Sequence, residues 1–362
     1  MADFNSHHII FLCFFLFAAL FTVLMNNILL KFSSNLGIRD HSTTIIRWSS
    51  VSKPALGGIT FYIVFLIAIA SFSVFFPQEM VLQNKPSLAL IGTCSLAFIM
   101  GLADDAYNTK PLLKFGVQLL CGLVFILGGM YIKTSPWEPL NYALTLFWVI
   151  GIMNSINMLD NMDGITTVTS FFIALMFITG HVFSIGVSGF DLFILIGVSA
   201  SLLGFLFHNW NPSKMFMGDT GSQFVGIFLA YFGIKYFWNG MDAQQEIIQA
   251  KQLTLVLIGF MLPFIDTTTV VINRLRRGQS PTVGGKDHTT HNLSYMGFKD
   301  KQVGQIFVLF SLISLVLVFV IERLIVGWSH LLTVVFWSYF FIVFLVMYRI
   351  TRKYEYKQKK SA

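Results

Sequence analysis

Asn154-Ser155-Ile156-Asn157-Met158-Leu159-Asp160-Asn161-Met162-Asp163-Gly164 separates one apolar run, 140–153, from another, 164–180. Such a break between two runs of membrane-spanning character makes them consecutive transmembrane helices and places the break at a bilayer face. A helix cap would use one Asn or Asp. Asn154, Asn157, Asp160, Asn161 and Asp163 together supply hard oxygen ligands, which suit Mg²⁺ better than a soft metal.

The same alternation extends in both directions. Besides these two, apolar runs occupy about 9–30, 54–76, 87–103, 112–131, 191–208, 222–238, 251–272, 305–326 and 330–348. Hydrophobic residues make up 55% of the 362 and charged residues 11%, and mean hydropathy is +0.72, which excludes a soluble domain. The predicted architecture is therefore all-α and polytopic, about eleven transmembrane helices in one domain, 1–348, with a basic tail, 349–362. Cys13, Cys94 and Cys121 all lie in apolar runs, so neither a disulfide nor a zinc site is expected. The first run, Ile9 to Leu30, lacks a preceding Lys or Arg and a following cleavage site, and reads as a retained span.

Orientation follows from charge. Of the 24 Lys and Arg, all but Lys85, Lys133, Lys235, Lys251 and Arg323 fall on one side of the alternation, in or beside loops 31–53, 104–111, 209–221 and 273–304 and the tail. The positive-inside rule makes that side cytoplasmic, with the N-terminus outside and the C-terminus in the cytoplasm.

Four acidic clusters share this basic face. Asp104 and Asp105 end a helix, where adjacent side chains point about 100° apart and take different roles. Lys110 and Lys114, four residues apart, are expected to face one anion. In Met217-Gly218-Asp219-Thr220-Gly221 the glycines allow close backbone approach and leave N–H groups at a helix start for an anion. The loop 273–304 carries Arg274, Arg276, Arg277, Lys286, His288 and His291 around Asp287, a set suited to clamping a polyanion. His288 and His291 lack further ligands at zinc spacing. Oxygen ligands, phosphate-seeking cations and a membrane body suggest phosphoryl transfer between a soluble nucleotide and a lipid phosphate. No Walker A motif is present, so ATP hydrolysis is not implied. A secondary transporter is the reading from a different class, but its acids would be expected near the bilayer midplane.

Taken in order, Lys53-Pro54-Ala55-Leu56-Gly57-Gly58-Ile59, Asp104-Asp105, Asn154-x-x-Asn157-x-x-Asp160-x-x-Asp163-Gly164, Met217-Gly218-Asp219 and the His288 loop resemble the polyprenyl-phosphate N-acetylhexosamine-1-phosphate transferases. The resemblance covers about residues 31 to 304. It implies transfer of a sugar phosphate, N-acetylglucosamine-1-phosphate first, from a UDP-N-acetylhexosamine to polyprenyl (undecaprenyl) phosphate with release of UMP. The setting would be the bacterial inner membrane, as an early step of cell-envelope polysaccharide synthesis such as O-antigen. Mg²⁺ is the implied cofactor, with Mn²⁺ as a substitute; no nucleic acid is expected, and a homodimer is left open.

Carried over by motif, Asn157 and Asp219 resemble the Mg²⁺ ligands. Asp104, with Asp105 beside it, resembles the group that orients or deprotonates the lipid phosphate, and Asp219 is also counted as catalytic. Asn154, Asp160 and Asp163 resemble nucleotide-side groups, and Lys114, Lys286, His288 and His291 phosphate-contacting ones. Thr290 stands where a further histidine is usual, and Asn161 where a glycine is. The peptidoglycan member of the family, which takes a muramyl pentapeptide, usually has three consecutive histidines and Pro-Thr-Met-Gly-Gly, both absent here, so it is the second choice.

Overall fold

A computed structural model describes residues 2–35, 53–182, 189–240, 248–281 and 284–361. Arg39 and Arg47, part of the charge argument, lie outside the described residues.

The described residues form helices α1 (Ala2–Asn35), α2 (Gly57–Phe75), α3 (Lys85–Tyr107), α4 (Pro111–Leu127), α5 (Glu138–Leu159), α6 (Ile165–Val182) and α7 (Gly189–Asn209). These are followed by α8 (Gly218–Phe232), α9 (Gln249–Gly259), α10 (Met261–Arg276), α11 (Thr289–Met296), α12 (Asp300–Phe319) and α13 (His330–Ser361). The protein is a multi-pass membrane protein. Among the described residues seven helices are long and apolar enough to cross a bilayer, and α9 and α10 pass the same test only together, as a bent pair. The shorter α4, α6 and α8, the last prolonged by a π-helical stretch Gly233–Trp238, account for the other expected runs. Only the short α11 has no expected span behind it.

The helix ends follow from local chemistry. Pro86, Pro111 and Pro139 sit in the first turns of α3, α4 and α5, where a missing N–H costs nothing. The α3 helix outlasts its apolar run, carrying Asp104 and Asp105 on its last turn, and stops at Asn108, whose backbone is left-handed (φ 51°) and whose N–H donates to the Asp104 carbonyl.

One expectation needs correction. The run 251–272 is not a single helix: it breaks at Phe260, and α9 and α10 meet at 75°. Pro263 cannot donate back to the preceding turn, and the Gly259 backbone lies against the Phe237 ring. The bent arrangement is what sets Asp266, on α10, beneath the loop that follows.

The centre of the bundle is α8. Every residue from Thr220 to Phe232 is buried, and the helix packs against α3, α5 and α2. A helix enclosed on all sides needs apolar residues all round. Phe224, Phe228 and Phe232, four residues apart, line one face and meet Phe65 and Phe177 in edge-on or tilted ring pairs, while Val225, Ile227, Leu229, Ala230 and Tyr231 cover the others. At the end of α8 away from Asp219, Lys235 pairs with buried Asp191 of α7, which also accepts a 2.5 Å hydrogen bond from the Tyr236 hydroxyl.

The strand-like run before α2 serves the site. Phe216 N–H donates to the Pro54 carbonyl, while Gly57 and Gly58 N–H groups donate to the Phe216 and Met217 carbonyls, at 3.0–3.1 Å. Backbone bonds thus fasten the Lys53–Ile59 motif directly to the Met217–Asp219 motif.

Candidate active site

Four helix ends converge: the C-terminal turns of α3 and α5 and the first turns of α4 and α8. Lys114, from α4, sits at their centre. Its Nζ donates to Asp104 Oδ2 and Asp219 Oδ1, both at 2.9 Å, and to Asn157 Oδ1 at 3.3 Å. Asn157 Nδ2 also contacts Asp219 Oδ1 and donates to Ser222 Oγ at 2.8 Å. Asp104 is fixed from the other side by Thr109, whose N–H and hydroxyl donate to Oδ1 at 2.8 and 2.5 Å. Asp219 remains 31% exposed at its side chain and is therefore reachable.

Asp105 has a different task from the one expected. Its carboxylate accepts the Asp219 N–H (2.9 Å), the Thr220 N–H (2.8 Å) and the Thr220 hydroxyl (2.6 Å). The N–H groups predicted to hold a substrate anion are thus occupied by a residue of the chain itself, an acidic cap on α8. Gly218 makes this possible: its φ is +72°, and a Cβ there would stand 2.5 Å from Asp105 Oδ2.

Other expectations are corrected by the same accounting. Lys110 is the N-cap of α4, outside the helix, so it does not share a helical face with Lys114 and is exposed. Asn154 lies one turn deeper than Asn157, where Nδ2 donates to Gln118 Oε1 at 2.8 Å and Gln118 Nε2 donates to Gln223 at 3.1 Å. It belongs to an amide ladder inside the bundle rather than to a substrate surface. Asp163 is also committed: it accepts from Ser213 N–H and Oγ (2.9 and 2.7 Å) and Asn211 Nδ2 (3.2 Å), and pairs with Lys53 at 3.3 Å. That hub pins the motif-bearing segments together.

Asp160, just past the end of α5, is where the charge balance shows. Burial, then the negative charges of Asp219, Asp105 and Asp163, push its carboxyl up to about 8, against a Thr166 hydrogen bond. Two ammonium groups, Lys114 and Lys53, therefore leave the carboxyl groups of Asp104, Asp105, Asp160, Asp163 and Asp219 under-neutralised. Three hard oxygen acceptors, from Asp104, Asn157 and Asp219, already surround a cationic nitrogen, and side chains of this kind suit a hard divalent cation such as Mg²⁺. Among the described residues no three His, Cys, Asp or Glu side chains group as a metal site. Magnesium sites commonly use one or two carboxylates and draw the remaining ligands from phosphate and water.

The basic loop docks beside this cluster through α11. Thr290 Oγ1 donates to Asn161 Oδ1 at 2.5 Å, so the two positions at which this sequence departs from the family pattern contact each other. The loop is less cationic than expected. Arg274 grips Asp287 with Nε and an Nη (3.0 and 2.7 Å), Arg277 adds a 2.5 Å contact, and Arg276 donates to the Tyr348 hydroxyl. Although burial works against it, the arginines hold the Asp287 carboxyl below its ordinary value. His291 is buried, and burial followed by the neighbouring His288 pushes it down to about 3. It is neutral at physiological pH and cannot be the phosphate-contacting cation expected. Lys286 is exposed.

Ser222 and Thr109 join the site without having been expected. Both are ordinary helix or loop residues in the sequence and are recruited by fold alone. Asp266, also missed, sits fully buried on α10 and receives His288. A lone aspartate in an apolar run was the available signal.

Residues 87–237, which run from the first turn of α3 through α8, match the family model described as glycosyl transferase family 4. The chain is 27% identical over 261 residues to a probable undecaprenyl-phosphate N-acetylglucosaminyl 1-phosphate transferase of Bacillus subtilis, covering 68% of this chain and 67% of that one. It is 27% identical over 280 residues to a decaprenyl-phosphate N-acetylglucosaminephosphotransferase of Mycolicibacterium smegmatis, covering 69% and 67%. It is also 27% identical over 257 residues to a phospho-N-acetylmuramoyl-pentapeptide-transferase of Streptococcus agalactiae, covering 65% and 71%. Over residues 87–237 the chain is thus similar to glycosyl transferase family 4, and the relatives named are polyprenyl-phosphate sugar-phosphate transferases.

Proposed function

We propose that this protein transfers N-acetylhexosamine-1-phosphate, with N-acetylglucosamine the favoured sugar, from its UDP donor to undecaprenyl or a similar polyprenyl phosphate. The observation that carries this reading is the meeting of Asp104, Lys114, Asn157 and Asp219 at helix ends on one membrane face. The relatives' names in Bacillus and Mycolicibacterium support it. A phosphate oxygen of the lipid attacks the sugar-side phosphorus; one P–O–P linkage forms, one breaks, and UMP leaves. No net anhydride bond is lost, so no ATP is needed.

Lys114 holds Asp104 and Asp219 in register and faces the incoming phosphates as a fixed positive charge. Asp104 orients the lipid phosphate, which is already anionic at neutral pH, so its role is alignment more than proton removal. Asn157 and Asp219 would hold Mg²⁺, which when bound neutralises the diphosphate and the charge developing on UMP. The face bearing the site is cytoplasmic, where UDP-sugars are found, and the membrane is the bacterial inner membrane. A transporter reading loses its support because the acids lie at helix ends. A second substrate, the muramyl pentapeptide donor, rests on the Streptococcus relative.

The test supplies purified protein with polyprenyl phosphate, Mg²⁺ and a panel of UDP-sugars that includes the muramyl pentapeptide. UMP release with UDP-N-acetylglucosamine, dependent on both lipid and Mg²⁺, is expected. Release only with the pentapeptide donor would move the protein to the second reading, and none with any donor would remove both.

A further inference from the structure

Asp266 lies in the apolar segment Pro263-Phe264-Ile265-Asp266, and its side chain is fully buried. A carboxylate in such a place is costly unless its hydrogen bonds are met, and in a membrane helix it marks function more often than packing. Here three donors meet it, all from the turn that opens α11. His288 Nδ1 lies 2.8 Å from Oδ2, while the Thr289 N–H and hydroxyl donate to Oδ1 at 2.8 and 2.7 Å.

A serine or asparagine in the loop could cap α11 locally. Reaching across to α10 for a buried carboxylate adds something a cap does not need, a fixed imidazole. With Nδ1 bound to Asp266, the ring's second nitrogen, Nε2, is the atom left to meet a substrate oxygen, and the ring cannot rotate without breaking the bond. The rest of the turn is equally fixed. Asn292 Nδ2 donates to the His288 carbonyl at 2.8 Å, the His288 and His291 rings meet edge to face with centroids 5.3 Å apart, and Thr290 ties the turn to Asn161. The tie to Asn161 places this turn beside the segment that ends in Asp160 and Asp163.

We propose that Asp266 is the positioning residue for His288, holding its imidazole through Nδ1 so that Nε2 meets a phosphate oxygen of the UDP-sugar. This rests on the transferase reading given above. Asp266 touches no reacting atom; it acts through the histidine.

The test uses full-length protein in detergent, with ¹⁵N-labelled histidine, and His288→Ala to assign the ring signals. In the wild type the His288 Nδ1 signal should be that of a protonated, carboxylate-bound nitrogen, and Asp266→Asn should shift it. Buried partners that orient functional histidines in metal sites are worth about 10–100-fold, and Asp266→Asn should lower kcat/KM for UDP-sugar by a similar factor. In a His288→Ala background the same change should cost less than about twofold, because the two residues act as one unit.

Equal losses with and without His288 would overturn the proposal and reduce Asp266 to a dock for α11, as would an unshifted Nδ1 signal in Asp266→Asn. Should Asp266→Asn fail to fold, Asp266→Glu keeps the charge and moves the carboxylate; unchanged His288 signals in that variant would overturn the proposal as well. Absence of UMP release by the wild type would instead defeat the transferase reading, and the ¹⁵N signals would still decide whether Asp266 fixes His288.

Discussion

Replacing Asp105 with alanine separates a residue that does chemistry from one that builds the site. The carboxylate accepts three hydrogen bonds from the first turn of α8, at 2.9, 2.8 and 2.6 Å. Bonds to a charged acceptor contribute about 1.5–3 kcal/mol each, but they are not additive, and water can reach part of this turn. Loss of an N-cap alone costs about 0.5–2 kcal/mol. A net destabilisation of roughly 2–4 kcal/mol is expected, read as a lower melting temperature in detergent. Asp219 is the second residue of that turn, so it loses its placement with it, and a displacement of about 1 Å at such a group can cost on the order of 10²-fold in turnover. Asp105→Ala should therefore lose stability and activity together, and Asp105→Asn, which still accepts one N–H, should lose less of each. The assays are thermal unfolding and UMP release on one preparation. Activity lost by a hundredfold with an unchanged melting temperature would refute the reasoning, because Asp105 would then act on substrate directly.

Further outcomes follow from the same geometry. Asp219→Ala should abolish turnover while the bundle still folds, since the side chain is partly exposed and its removal relieves repulsion; strong Mg²⁺-dependent activity would exclude it from the metal site. Asp163→Ala should act mainly on stability, by about 1–3 kcal/mol, as the donors on Lys53, Asn211 and Ser213 lose their acceptor; an unaltered melting temperature would contradict its role as a hub. His291 has a folded pKa near 3 against an ordinary 6.5, so only the unfolded chain binds its proton between those values, and stability should fall as pH drops below about 6.5. His291→Gln should flatten that slope, which denaturation at pH 7.5 and 5.5 measures. A cysteine placed at Ser361 should be shielded from an impermeant reagent in intact cells if the tail is cytoplasmic.

The spans were readable because apolar length is dictated by the bilayer itself, and the acids at their ends stood out against so apolar a background. What each acid binds was not readable. Asp105 and Asp163 look like Asp104 and Asp160 in sequence, yet one caps α8 and the other gathers three loops; partners separated by 48 to 115 residues carry no local pattern. The arginines of the basic loop looked available for phosphate, but Asp287, ten and thirteen residues on, takes two of them. Gly259 and Pro263 did signal the break in the ninth span, and hydropathy averaging hid it. Asp266 was hidden in the same way, as one charge among apolar neighbours.

Lys114 gives the resting site a counter-ion of its own. Carboxylates from separate helices repel one another, and an active site that depended wholly on a visiting ion would tend to spread whenever the ion left. A tethered ammonium keeps Asp104 and Asp219 gathered through that interval, at a position set by covalent attachment rather than by concentration. If the site takes the ion and nucleotide proposed above, both can leave between cycles without the helix ends drifting apart.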